Sequence, residues 1–162
     1  MFDKLEFCLK SSISIYEINN TDLQNLKYMK NLQKLEIIGI DKSASNFDEL
    51  NNLEKLTTLT FQCCDLKDGS FLNTLTNIDT LNIEGCKMYN IDSQYLKNVK
   101  NITIEFCKLE DFKFKNDLNN IEKIEVGGCS NIKDLSKFKN LKGVKTLAIT
   151  GADLMDITDI KN

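Results

Sequence analysis

VKNITIEFC, residues 99–107, is the stretch that decides the fold. Apolar side chains stand at its first, fourth and sixth positions, and a cysteine closes it at the ninth. The same phrase returns as LTTLTFQCC at 56–64, IDTLNIEGC at 78–86 and IEKIEVGGC at 121–129. LQKLEIIGI at 32–40 and VKTLAITGA at 144–152 are weaker copies without the cysteine. The fourth position falls on Leu35, Leu59, Leu81, Ile102, Ile124 and Leu147, in steps of 24, 22, 21, 22 and 23 residues. A repeat of this period marks a solenoid, in which each unit buries its apolar side only against its neighbours.

Alternation at the fourth and sixth positions predicts a short strand in each unit. Ahead of each strand, apolar residues recur at spacing three: Leu23, Leu26 and Met29, then Leu50, Leu53 and Leu56, then Leu72, Leu75 and Ile78. This predicts one or two turns of helix or 3-10 helix on the outside, with Thr21 or Asp22 as cap of the first. Polar turns link strand to helix at 65–68, 131–135 and 153–157. Residues 1–20 fit the phrase poorly. Leu5, Phe7 and Leu9 alternate, as do Ile13 and Ile15, with Ser11 and Ser12 between them. This predicts a hairpin or an irregular first repeat, and hence an irregular N-terminal cap over 1–20. Residues 21–162 then hold about six repeats, the last stopping at Ile160 within its return arm. The incomplete last repeat leaves end-to-end self-association open.

The 162 residues suit one domain, and a net charge of −3 gives no electrostatic case for nucleic acid. All 21 basic residues are lysine, which removes the bidentate readers of guanine and phosphate. Histidine, proline and tryptophan are also absent, in part as the bias of an AT-rich coding genome. Without histidine the chain lacks the usual general base and the commonest metal ligand. No nucleophile–base pair or phosphate loop is visible, so neither catalysis, nor cofactor, nor metal is expected. No apolar run is long enough to span a membrane. The N-terminus lacks the apolar core of a signal peptide. A natural start at Met1 therefore points to the cytoplasm and to reduced thiols, whereas a fragment lacking its signal peptide points to a secreted or surface protein.

The phrase LxxLxLxxC followed by xLxD(L/I)xxLxxL resembles the leucine-rich repeat proteins with short, roughly 22-residue repeats, of internalin-like period, over about residues 21–160. The resemblance implies an α/β solenoid: a curved parallel β-sheet inside, short helices or 3-10 turns outside. It also implies recognition of a protein partner, and no catalysis within the repeats. The internalin-like class has Asn at the ninth position, where this chain has Cys64, Cys86, Cys107 and Cys129. Cysteine there resembles the intracellular, cysteine-containing repeats.

The concave face is expected to carry positions 3, 5, 7 and 8. Glu84 and Glu105 fall side by side at position 7, which is unfavourable in a sheet unless water screens them or a partner's cation docks there. A catalytic carboxylate pair is the remote alternative. Phe106, at position 8 between Gly85 and Gly128, either offers its ring to a partner or folds it onto the loop near Met88, Tyr89 or Leu109. Asn82, Thr103 and Gln62 are the expected hydrogen-bonding neighbours. The glycines at position 8 answer either to a turn needing positive φ or to a partner's space, the turn explaining their regularity better. The cysteine ladder reads as buried structural thiols, with Cys63 accessible at position 8 and Cys8 unassigned. Lysines 108, 113, 115, 133, 137, 139, 142 and 145 read as a solvated convex face, or as a weak patch for an acidic partner or lipid headgroups. The expected function is protein binding on the concave sheet by Glu84, Glu105 and Phe106. The alternative is a structural or targeting segment of a longer protein whose activity lies in another domain.

Overall fold

Isoleucine, leucine, valine and phenylalanine at positions 4 and 6 have no partner within their own repeat, and stacking supplies one. The structure, a computed structural model, describes residues 9–40, 46–67, 69–88, 93–108, 120–130, 132, 141 and 143–151, with only the backbone of Lys67, Met88 and Ser93. The strands follow in chain order as β1 (Ser12–Ile18), β2 (Lys34–Ile40), β3 (Thr58–Gln62), β4 (Asp65–Lys67), β5 (Thr80–Glu84), β6 (Lys87–Met88), β7 (Asn101–Glu105), β8 (Lys123–Gly127) and β9 (Thr146–Thr150). Seven of them form one sheet in the order β1-β2-β3-β5-β7-β8-β9. Every pair is parallel, and equal phrase positions face each other: Leu35 meets Leu59, then Leu81, Ile102, Ile124 and Leu147. β4 and β6 pair in a second small ladder, which bridges at Lys87, Lys108 and Ser130 extend. The fold is the leucine-rich repeat solenoid.

The backbone ties each repeat to the next in one recurring way. The carbonyl at position 2 accepts two N–H groups, from positions 2 and 3 of the following repeat. Thr57 and Thr58 donate to Gln33 O at 3.0 Å each, and Lys100 and Asn101 donate to Asp79 O at 2.8 and 3.0 Å. The pattern continues from Glu122 and Lys123 to Lys100 O. Behind the sheet the position-4 and position-6 side chains of β2, β3, β5, β7 and β8 are buried, as are the position-1 residues from Leu32 to Ile121 and Leu23, Leu26, Leu50, Leu53, Leu72 and Leu75 of the described return arms. Phe61 replaces the usual aliphatic at position 6, and Phe47 and Phe71 fill the space around it with ring centroids at 6.0 and 5.5 Å.

The return arms are short because only three-spaced apolar residues must be carried back to the core. The first contains α1 (Asn20–Asn25) and a 3-10 turn at Leu26–Tyr28; later ones hold 3-10 turns at Phe47–Asn52, Ser70–Thr74 and Ser93–Leu96. The cap of α1 is Asn19, not Thr21 or Asp22. Its side chain accepts from the N–H groups of both those residues, at 2.8 and 3.2 Å, while Asp22 Oδ2 accepts from the Asn19 N–H at 3.0 Å. Asp22 thus sits at the third helical position and closes a capping box.

β1 lies inside the segment expected to be an irregular cap. It pairs parallel with β2, Ser12 on Lys34 through Ile18 on Ile40, and adds a seventh strand to the repeat sheet. Residues 1–8 and 152–162, with the expectations placed on Leu5, Phe7, Cys8, Ile160 and the turn at 153–157, lie outside the described residues. So do Asp68, Tyr89, Leu109 and the turn at 131–135 apart from Ile132.

At the sheet edges, Ile13 and Ile15 of β1 and Leu147 and Ile149 of β9 are only half-buried, since among the described residues each has a neighbouring strand on one side alone. Truncation should therefore cost unequal amounts along the stack. Ile104→Ala is expected to lower unfolding free energy by about 3 kcal/mol and Ile149→Ala by about half of that, read from urea unfolding followed by circular dichroism. Equal losses would contradict the packing described.

Candidate concave-face site

The end of each strand is a backbone device. Residues at position 8 all have φ in the left-handed region: Gly39, Gly85, Gly128 and Gly151 between +58° and +70°, and also Cys63 at +52° and Phe106 at +53°. Glu17 of β1, at +48°, is the seventh member of this row. The turn lets the position-8 N–H reach the position-7 carbonyl of the next repeat, as in Cys63 to Glu84 O at 2.9 Å and Phe106 to Gly127 O at 2.8 Å. Turn geometry is thus the cause of the glycine series. A side chain in this conformation costs about 1 kcal/mol or more.

The three filled positions alternate with glycine. Each side chain lies against the glycine of the following repeat. Glu17 Cγ stands 3.8 Å from where a Cβ on Gly39 would be, and Cys63 Sγ 3.6 Å from that of Gly85. The Phe106 ring covers Gly128 so closely that an added Cβ would meet Cδ1 and Cε1 at 2.7 Å. The Cδ1–Cε1 edge of the ring thus takes the space beside Gly128, and the residue is 67% exposed. Of the loop contacts expected as the alternative, Tyr89, Leu109 and the Met88 side chain lie outside the described residues.

Glu84 and Glu105 are register partners on β5 and β7, but their carboxylates lean apart. Gln62 Nε2 on β3 donates to Glu84 Oε2 at 3.0 Å, holding that side chain toward the preceding strand. Glu105 leans the other way, its Oε1 3.5 Å from where a Cβ on Gly127 would sit. Gly127 has no side chain, and the space its Cβ would need is taken by Glu105 together with Thr150 Oγ1, 3.1 Å from the same point. The separation relieves the like-charge contact expected from the register. Asn82 Nδ2 donates to Thr60 Oγ1 at 3.1 Å, and Thr103 stands half-buried beside it at position 5. Lys123 and Glu125 pair at 3.0 Å, and Ser14 bonds Glu36. Glu105 has no hydrogen-bond or ion-pair partner among the described residues.

The ladder at position 9 reads differently. Cys64, Cys86, Cys107 and Cys129 are free and buried, and Cys63 is free and exposed. Each buried thiol lies within bonding reach of backbone carbonyls at strand ends: Cys107 Sγ is 3.2 Å from Glu105 O and 3.6 Å from Ile83 O. Sulfur also accepts: the N–H of Cys64 reaches Cys86 Sγ at 3.3 Å, and that of Cys107 reaches Cys129 Sγ at 3.4 Å. A thiol thus serves as donor and acceptor at the turn while packing as a small apolar group. The Cys64 contact and burial push the Cys86 thiol up, and Cys129 and burial do the same to Cys107, so both are protonated donors at neutral pH. No group of three or more metal-ligating side chains occurs among the described residues.

Of the lysines expected on the convex side, Lys108 and Lys145 are described. Lys145 bonds Glu122 at 3.0 Å and holds that carboxyl below its ordinary range. No helix among the described residues is long and apolar enough to cross a membrane.

No protein-family model matches the chain. No curated protein matches it either. Among solved structures, internalin C2 from Listeria monocytogenes is similar, with a TM-score of 0.64 and 20% identity, over 96% of this chain and 68% of that one. An internalin, InlF, from the same organism has a TM-score of 0.50 and 17% identity, over 84% of this chain and 53% of its own. The chain thus spans about half the length of that second neighbour. At such identity the likeness is one of fold, and it agrees with the parallel register described above. The cytoplasmic expectation gains no support from it.

Two thiol experiments check the rows at positions 8 and 9. In a Cys8→Ser chain, a maleimide should label Cys63 at once and the four buried cysteines only after unfolding, as followed by mass spectrometry. Cys63→Gly should raise the unfolding free energy by about 1 kcal/mol, because it removes a side chain from a left-handed backbone. Rapid native labelling of all five, or a loss of stability in Cys63→Gly, would contradict the structure.

Proposed function

We propose that this leucine-rich repeat solenoid is a recognition module that binds a protein partner on its concave sheet, without catalysis of its own. The observation that carries the reading is Phe106. A large aromatic stands mostly exposed on a strained backbone, at a row position where glycine serves the turn better. Strain of this kind persists where the side chain has a use. Exposed aromatics anchor interfaces out of proportion to their number.

The surrounding residues suit a preordered surface. Gln62 with Glu84, and Asn82 with Thr60, are already bonded across strands, so little side-chain freedom remains to be lost on binding. In this reading Phe106 and Glu105 are the central contacts. Glu84, Asn82, Thr103 and Gln62 form the polar ground around them.

The reading is tested by affinity capture from the source cell, with the wild-type chain and the Phe106→Ala/Glu105→Lys double variant side by side. A protein retained by the wild type and lost by the variant is expected, with binding weakened by about 2 kcal/mol or more. Circular dichroism should give both chains the same spectrum. Equal recovery of every protein by both chains would remove the site from the concave sheet.

A further inference from the structure

We propose that the concave face binds an arginine side chain of its partner, held between the Glu105 carboxylate and the exposed Phe106 ring, a proposal that rests on the concave-face reading above. Four observations converge on one spot. Gly127 interrupts the position-7 row and lies buried beneath its neighbours' side chains. Glu105 Oε1 approaches from one side, 3.5 Å from the Cβ that Gly127 lacks. Thr150 Oγ1 approaches from the other, 3.1 Å from the same point. The Phe106 ring sets its Cδ1–Cε1 edge by Gly128, one residue further along, and stays largely exposed. Neither Glu105 nor Thr150 has a side-chain hydrogen-bond partner among the described residues.

These groups select a cation with a flat, donor-rich head. The carboxylate and the hydroxyl both accept hydrogen bonds, and the ring face attracts positive charge. A guanidinium donates in two directions at once and stacks on an aromatic ring, whereas an ammonium is a compact, strongly hydrated point. The neighbouring field has the matching sign. On rows 3, 5 and 7 the carboxylates are Glu36, Glu84, Glu105 and Glu125 and the lysines are Lys34 and Lys123, of which Lys123 is paired with Glu125.

The test is selection from a random peptide display library against the wild-type chain. The peptides recovered are then measured against Glu105→Gln, Phe106→Ala, Phe106→Gly and Asn82→Arg. Selected peptides should share an arginine. Replacing that arginine by citrulline, or Glu105 by Gln, should weaken binding at least tenfold, and Phe106→Ala should do likewise. Phe106→Gly should bind as poorly while unfolding at higher urea, which separates lost contact from lost fold. Binding should also fall as salt is raised. Asn82→Arg fills the centre of the sheet and reports on the concave face as a whole. Peptides sensitive to Asn82→Arg but without a shared arginine, or indifferent to Glu105→Gln, overturn the arginine site and leave the concave reading standing. Peptides indifferent to every variant, or no enrichment at all, overturn both.

Discussion

Each repeat is bound to the next at zero offset, and nearly everything else in the molecule follows from that. A position-2 carbonyl takes two N–H groups from the following repeat, and a position-8 N–H reaches a position-7 carbonyl. These bonds fail if one strand slips by a residue, since slippage also turns the apolar side chains to the solvent face. The steps between repeats vary from 21 to 24 residues, yet the strand phrase stays nine residues long. Length variation is therefore confined to the stretches between strand phrases, and among the described residues the 3-10 turns there differ in extent, from Phe47–Asn52 to Ser93–Leu96. Like residues end up stacked in rows, and each row acts as one surface with one chemical problem to solve.

The rows solve their problems in different ways. Rows 4 and 6 need only apolar volume, so Leu, Ile, Val and Phe interchange, with Phe47 and Phe71 adjusting around the largest. Row 9 needs a small apolar group that also satisfies backbone atoms, and the cysteine thiol does both. Row 7 brings carboxylates into register, and the side chains relieve the contact by leaning apart, one to an amide and one to an empty glycine. Row 8 needs a left-handed backbone, and the side chains present there are held at a conformational cost.

What the sequence made legible divides along the same line. Register was readable in full from Leu35 to Leu147, because positions 4 and 6 carry an unbroken apolar signal. β1 was only half readable: Ile13 and Ile15 give its alternation, but Glu17 and Ile18 stand where Gly85 with Cys86 and Gly128 with Cys129 close their phrases. The helix cap was misplaced by a few residues, because Asn19 lies before the polar pair Thr21 and Asp22, which are its hydrogen-bond donors. On the concave face the placement of Glu84, Glu105 and Phe106 followed from register alone. The direction of each side chain did not, since it depends on which neighbour is empty. The bare Gly127 beside Glu105 was a readable signal for that lean, once row 7 is read as a row.

The alternation of row 8 limits how such a chain could grow. Phe106 occupies the place that a Cβ on the next repeat would take, and the other filled members also lie against a glycine. A gene duplication that copied the Phe106 repeat alone would set two rings in one space. Copying it together with the glycine repeat that follows would preserve the spacing and add a second ring about two strand spacings away, roughly 10 Å. The unit of inheritance for this surface is thus a pair of repeats, twice the unit that the hydrophobic core requires.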